Sequence, residues 1–144
     1  MFHPVESPVL TGMNFSTTRR KALLSIALLS LTTMMVAKGT ETRLRTSLSG
    51  GAAASGHADY RASTSPNRAR LNVEVEDINL PTGTKVDVVI DGNQIGTITI
   101  SAAPIRGGEL ELNTQDGQAV PSLKSGALVV IKNGDTAILS GVLN

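Results

Sequence analysis

The groups in this sequence that could act as acids or bases are one histidine and two pairs of glutamates. His57, the only histidine after residue 39, could serve as a general base or as a lone metal ligand. Glu74 and Glu76, like Glu109 and Glu111, stand two positions apart, and such residues lie about 6.5–7 Å apart on one face of a strand. This spacing overlaps that of glycosidase carboxylates, but it is also typical of a solvated strand. We predict no catalytic residues, and a hydrolase that uses His57, Glu109 or Glu111 is the third of three hypotheses.

Oxygen ligands for calcium are the other candidate chemistry. Asp87, Asp91, Asn93 and Asp116 could contribute such ligands, but the sequence around Asp91 does not match an EF-hand loop. Turn formation explains these residues without a metal. Because the chain has no cysteine and one histidine after residue 39, we predict no transition-metal site and no cofactor. A calcium or small-ligand site at the acidic turns is the second hypothesis.

The elements that carry these groups are predicted to be strands. Residues 68–76 separate a polar set from an apolar set with period two, as a strand does and a helix does not. We expect the apolar set to face the core; it comprises Ala69, Leu71, Val73 and Val75. The polar set is expected to face outward; it comprises Arg70, Asn72, Glu74 and Glu76.

Similar patterns, separated by turn residues, recur along the chain. The sequences Pro81-Thr82-Gly83, Asp91-Gly92 and Asn133-Gly134 indicate turns, and we expect a type I′ hairpin turn centred on Asn133-Gly134. Residues 128–131 are apolar on both faces, which predicts a central strand. We predict an all-β domain over residues 40–144, an antiparallel β-sandwich or small barrel of about eight strands. The predicted strands are 43–48, 56–62, 68–76, 86–90, 94–100, 109–112, 128–131 and 138–143.

An export signal is predicted over residues 13–39, with the apolar segment as a signal helix. Arg19, Arg20 and Lys21 precede an apolar stretch over 22–37, and Ala37 and Gly39 are the small residues of a cleavage site. The stretch is short for a membrane span, which needs about 20 residues, and an uncleaved membrane anchor is the alternative to a cleaved signal. The basic cluster fits the twin-arginine route in part and an ordinary secretory signal equally well. Residues 1–12 match no targeting pattern, so we interpret Met13 as the start of translation.

The composition after the predicted cleavage point excludes some classes of function. Thirteen Lys and Arg occur in the chain, and Arg19, Arg20, Lys21 and Lys38 precede Thr40, which leaves nine against eleven Asp and Glu. The resulting net charge of −2 gives no indication of nucleic-acid binding. Tyr60 is the only aromatic residue after residue 39, so a set of stacking platforms for sugars or bases is absent.

Residues 48–75 resemble the opening of bacterial CHRD-type (chordin-like) β domains. The matching pattern is Leu48-x-Gly50, then Gly56-x-Ala58-x-Tyr60, then Leu71-x-Val73. The later histidine-containing segment of that family is not present here. The second half, from residue 79 to residue 141, is similar to small exported bacterial β domains of no known activity. The resemblance implies an exported β-sandwich and assigns no site.

The first hypothesis for function is therefore an exported, non-catalytic β-sandwich module with a structural or protein-interaction role. It would act in the periplasm or outside the cell, with another envelope or extracellular protein as its partner. Contact with a membrane would occur only through the signal before cleavage. These expectations rest on the signal, the strand pattern and the lack of a recognisable catalytic motif.

Overall fold

The computed structural model describes residues 39–144 except Ala52 and Ala103. The segment 1–12, the basic cluster Arg19, Arg20 and Lys21, the predicted signal helix and Ala37 all lie outside the described residues. Gly39, at the predicted cleavage point, is the first residue described, and the first strand begins at Glu41.

Eight strands and one 3₁₀ turn make up the described part of the chain, as the alternating pattern predicts. The strand ends differ from the predicted ends by no more than three residues, since the patterns that mark strands are weakest where turns begin. The 3₁₀ turn covers Thr114–Asp116. The strands are β1 (Glu41–Gly50), β2 (Ser55–Thr64), β3 (Asn67–Glu76), β4 (Lys85–Ile90), β5 (Asn93–Thr99), β6 (Gly108–Asn113), β7 (Leu128–Asn133) and β8 (Thr136–Val142).

All eight strands belong to one sheet, in the order β5-β4-β7-β8-β1-β2-β3-β6, and every neighbouring pair is antiparallel. β7 is paired on both sides, which confirms the prediction of a central strand. The two end strands, β5 and β6, approach each other, so the sheet is nearly closed into a barrel. Of the two predicted architectures, the structure has the barrel-like one.

Small residues allow the two ends of the sheet to meet. Ser101 and Gly107 form one isolated bridge, with Ser101 N donating to Gly107 O at 2.8 Å. A Cβ atom at Gly96 on β5 would lie 2.8 Å from Cδ2 of Leu110 on β6. A Cβ atom at Gly108 would lie 2.7 Å from both Ile98 Cγ2 and Thr99 O. The line along which β5 and β6 meet is called the seam. Along most of it the two strands are in contact through side chains and not through a full ladder of hydrogen bonds, so closure of the sheet depends on their close approach.

The inward faces of the strands form one apolar core. On β3 the alternation is as predicted, because Leu71, Val73 and Val75 are buried while Arg70 is exposed and Glu74 is half-exposed. Tyr60 is also buried, at 3 % exposure, so its ring is part of the core. The buried apolar residues are Leu44, Leu48, Ala58, Tyr60, Leu71, Val73, Val75, Ile78, Val86, Val88, Ile90, Ile98, Ile100, Leu123, Ala127, Val129, Ile131, Leu139 and Leu143.

Two hairpin turns test the predictions from turn chemistry. Asp91 and Gly92 have φ values of 50° and 83° between the paired residues Ile90 and Asn93, which agrees with a type I′ turn. The turn predicted at Asn133-Gly134 is displaced by one residue. A bulge between Ile131 and Lys132 shifts the register so that Asn133 pairs with Thr136.

The turn residues of the β7–β8 hairpin are therefore Gly134 and Asp135. Only Gly134, with φ 59°, has a positive φ, which is typical of a type II′ turn. A type I′ turn requires positive φ at both central residues, and Asp135 does not have it. The prediction of a type I′ turn is therefore wrong.

Candidate functional site

Charged residues cover the outer surface of β1, β2, β3 and β6, and the register places some residues of like sign directly opposite one another. Arg43 lies opposite Arg61, and Arg61 lies opposite Arg70, so three arginines form a row across three strands. Four residues further along β3, Glu74 lies opposite Glu109. Like charges directly opposite on a sheet are destabilising. This surface, the charged face, comprises Glu41, Arg43, Arg45, Ser47, His57, Asp59, Arg61, Arg68, Arg70, Asn72, Glu74, Glu76, Glu109 and Glu111.

Three depressions lie on the charged face. The largest, the central groove, has a volume of about 690 Å³, and its lining includes Arg45, His57, Asp59 and Asn72. A second depression of about 320 Å³ is lined in part by Arg68 and shares Arg61 and Arg70 with the central groove. A third of about 300 Å³ lies at the edge of the face, where its lining includes Glu74, Glu76 and Glu109 together with residues of the segment 101–108.

Asp59 holds two arginines at the centre of this surface. Its Oδ1 accepts a hydrogen bond from Arg61 Nε at 3.0 Å, and its Oδ2 accepts one from Arg45 Nε. Burial by itself would raise the pKa of this carboxyl, but the hydrogen bonds and positive charges of Arg61 and Arg45 outweigh it and hold the pKa below its usual value. Since both arginines contact Asp59 through Nε, their terminal nitrogens, with four N–H donors each, are not used in these two contacts.

Asp59, Arg45 and Arg61 form the Asp59 cluster, which should stabilise the protein at neutral pH and not in acid. A carboxyl whose pKa is lowered on folding stabilises the protein above its unfolded pKa of about 3.9, and the contribution is lost as the pH falls through the folded pKa. Asp59→Asn should therefore lower the free energy of unfolding at pH 7 by about 1 kcal/mol or less, because the ion pairs are partly exposed. Urea denaturation should show the stabilities of the two proteins converging as the pH falls below about 3.9 and through the folded pKa. Asp135→Asn, in the exposed β7–β8 turn, is the control; a difference for Asp59→Asn that is constant with pH would contradict the prediction.

Asn72 lies beside Asp59 in the floor of the central groove. Its Oδ1 is buried and has no hydrogen-bond partner among the described residues. It sits in register between Asp59 on β2 and Glu111 on β6. An unpaired buried acceptor costs about 1–3 kcal/mol, so Asn72 is held at a cost to stability.

Replacing Asn72 with an apolar residue should therefore stabilise the domain. We expect Asn72→Val to raise the free energy of unfolding by about 1 kcal/mol, because it removes the unpaired acceptor and introduces a β-branched residue into a strand. Asn72→Asp, of similar size, should lower it by adding a charge between Asp59 and Glu111. Denaturation midpoints measure both, and a lower midpoint for Asn72→Val would contradict the prediction.

The structure brings several of the predicted acid–base candidates together. His57 Nε2 lies 3.3 Å from Glu74 Oε2, and Glu74 lies opposite Glu109 on the neighbouring strand. Glu111 instead pairs with Arg70, at 3.0 Å from Glu111 Oε1 to Arg70 Nη2. The side chains of His57 and Glu74 are 52 % and 35 % exposed. Both side chains are therefore more open to water than the carboxylic acid of a glycosidase, which lies in a buried pocket.

The predicted calcium ligands hold turns in place. Asp91 Oδ1 accepts a hydrogen bond from Leu128 N at 2.9 Å, and Asp87 Oδ1 accepts one from Gln94 Nε2 at 2.8 Å. Asn93 lies next to this turn, and Asp116 belongs to the 3₁₀ turn after β6. Within residues 39–144, Ala52 and Ala103 excepted, no three His, Asp or Glu residues are grouped so that they could hold a metal ion. Calcium binding by these residues stays a prediction.

The arginine row was not predicted from the sequence. Arg43 and Arg45 on β1, and Arg68 and Arg70 on β3, repeat the pattern Arg-x-Arg, which places each pair on one strand face. The Arg-x-Arg pattern could therefore have indicated two arginine pairs on strand faces. It does not indicate the pairing of β1, β2 and β3, which places Arg61 between Arg43 and Arg70.

No known protein family and no curated protein matches the sequence. In the part of the chain that the structure describes, no helix has the length and apolar character needed to cross a membrane.

Proposed function

We propose that this chain is an exported, non-catalytic β domain that binds another envelope or extracellular protein through the charged face. The observation that supports binding is the cross-strand row Arg43–Arg61–Arg70 together with the pair Glu74–Glu109. Each arginine of the row contacts one carboxylate of the same face, which reduces their mutual repulsion. Further guanidinium N–H donors remain, so a partner with complementary charges would be favourable at both ends of the face.

Two further features favour a partner surface over a catalytic centre. Several side chains of the face are more than half exposed, with Arg45 at 66 %, Arg70 at 55 % and His57 at 52 %, whereas Asp59 is 22 % exposed. Catalytic acids and bases usually work in sites from which water is excluded. The resemblance to exported β domains and the predicted signal over residues 13–39 support a site of action in the periplasm or outside the cell.

The test is capture of a defined partner from the cell envelope. The exported protein should have the mass of a chain that begins at Thr40. It should carry a photo-crosslinking residue in place of Asn72, in the central groove. We expect one envelope protein to be crosslinked, and its capture to be lost in Arg61→Ala with Arg70→Ala. Lys124→Ala, at an exposed position outside the charged face, is the matched control and should leave capture unchanged.

Activity assays address the remaining hypotheses. Turnover of a glycosidase or esterase substrate that is lost in Glu109→Ala, Glu111→Ala or His57→Ala would overturn the non-catalytic proposal. Calorimetric binding of Ca²⁺ that is lost in Asp91→Ala would favour the second hypothesis instead.

A further inference from the structure

The outward residues of β3 change sign in one direction along the strand. Arg68 and Arg70 are followed at alternate positions by Asn72 and then by Glu74 and Glu76. The neighbouring strands reinforce both ends, because Arg61 lies opposite Arg70 and Glu109 lies opposite Glu74. The charged face therefore has a mainly basic pole, which also contains Glu41 in contact with Arg43, and an acidic pole, with Asn72 and the Asp59 cluster between them.

The three depressions follow this same direction. The depression at the basic pole and the central groove share Arg61 and Arg70 as a common wall. The central groove and the depression at the acidic pole adjoin where His57, which lines the first, contacts Glu74, which lines the second. From Arg68 to Glu76 the distance is about 26 Å, at about 3.3 Å per residue of strand. An extended peptide of about nine residues spans that length.

We infer that the charged face binds an extended peptide segment of the partner in which acidic residues at one end are separated from basic residues at the other. The inference rests on the proposed function and specifies its ligand. In an extended segment alternate side chains point to the same side, at the same spacing as the outward residues of β3. Carboxylates at the first and third positions would meet Arg68 and Arg70. Ammonium or guanidinium groups at the seventh and ninth would meet Glu74 and Glu76.

The guanidinium groups at the basic pole have donors for such carboxylates. Arg61 contacts Asp59 through Nε, and Arg70 contacts Glu111 through one Nη2 nitrogen. Each guanidinium has five N–H donors in a planar fork that matches a carboxylate, so further donors remain on both. Asp59 restrains Arg45 and Arg61 before a ligand binds, which lowers the entropy lost on binding.

Other charged ligands fit this surface less well. An acidic polysaccharide or an anionic membrane would meet Glu74, Glu76 and Glu109 as well as the arginines, and like charges repel. A sugar polymer would also lack an aromatic platform, because Tyr60 is buried in the core. A second copy of the chain would present another outward-curved sheet, whereas grooves walled by side chains suit a single extended segment.

The test uses a labelled nonapeptide with Glu at positions 1 and 3, Lys at positions 7 and 9 and Ser or Gly elsewhere. Fluorescence anisotropy at low ionic strength should show saturable binding to the exported protein. We expect Arg68→Ala with Arg70→Ala, and separately Glu74→Ala with Glu76→Ala, to weaken it about tenfold each. Lys124→Ala should have no effect. Circular dichroism and the denaturation midpoint establish that each variant is folded. If the alanine double variant at Arg68 and Arg70 does not fold, the charge-conserving variant Arg68→Lys with Arg70→Lys replaces it. We expect that lysine variant to retain part of the affinity.

Several outcomes would overturn the inference. One is that a peptide of the same composition with intermixed charges binds as tightly as the nonapeptide, and another is that an oligo-uronate binds more tightly. Dimerisation of the domain through the charged face would also overturn it, as would unchanged peptide affinity in both double variants. Capture of an envelope protein that depends on Arg61 and Arg70, with no peptide binding, would refute the inference and leave the proposed function standing. Peptide binding without any captured protein would refute the proposed function alone.

Discussion

Val73→Asp is expected to unfold the domain. Val73 has no exposed surface and lies in the centre of β3, opposite Ala58 on β2 and Leu110 on β6. A carboxylate at this position has no partner in an apolar core, and burying it costs several kcal/mol. Domains of this size are stable by about 5–15 kcal/mol, so the loss removes much or all of that margin. Circular dichroism and urea denaturation would measure it.

Glu74→Ala, one residue further along, is the matched control. Glu74 points outward, pairs with His57 and lies opposite Glu109. Loss of the exposed contact with His57 is offset by relief of the repulsion from Glu109, so the free energy of unfolding should change by less than about 0.5 kcal/mol. Equal denaturation midpoints for the two variants would contradict the register of β3.

Gly108→Ala is expected to have the second-largest effect, because it opens the seam between β5 and β6. The new methyl group would lie 2.7 Å from Ile98 Cγ2 and 2.7 Å from Thr99 O. The backbone oxygen cannot rotate away, so the two strands must separate. Overpacking of this kind costs about 1–3 kcal/mol, and we expect a value near the upper end. The measurement is the urea midpoint, with hydrogen exchange on β5 as a local readout.

Gly96→Ala tests the same seam from the other strand. Its methyl group would contact only the end of the Leu110 side chain, at 2.8 Å from Cδ2. Because a leucine side chain can change rotamer, the cost should stay below about 1 kcal/mol. A larger loss for Gly96→Ala than for Gly108→Ala would show that the seam is held by Leu110 rather than by backbone approach.

The charged face explains why the candidate site could be predicted only in part. The outward direction of Arg70, Asn72 and Glu74 follows from alternation within one strand, and the structure agrees. Their neighbours Arg61 and Glu109 come from β2 and β6, and β6 is more than thirty residues away along the chain. No local pattern indicates that β6 pairs with β3, because strand pairing depends on how the whole sheet covers the core.

The β7–β8 hairpin shows the same limit at short range. The sequence correctly predicts a turn at Gly134, since glycine readily adopts the positive φ that hairpin turns need. The bulge between Ile131 and Lys132 then shifts the pairing by one residue and changes the turn type. A bulge depends on contacts with the strands on both sides, and those contacts are not contained in the hairpin itself.

The sequence by itself determined the all-β class, about eight strands and the face that β3 turns to the core. Those features depend on the period-two alternation of side chains and on turn residues, which act over a few positions. Only the tertiary structure decided that the sheet nearly closes as a barrel, and that Arg43, Arg61 and Arg70 form one row while Glu74 meets Glu109. These features depend on strand order and register, which are set by packing between residues far apart in the chain.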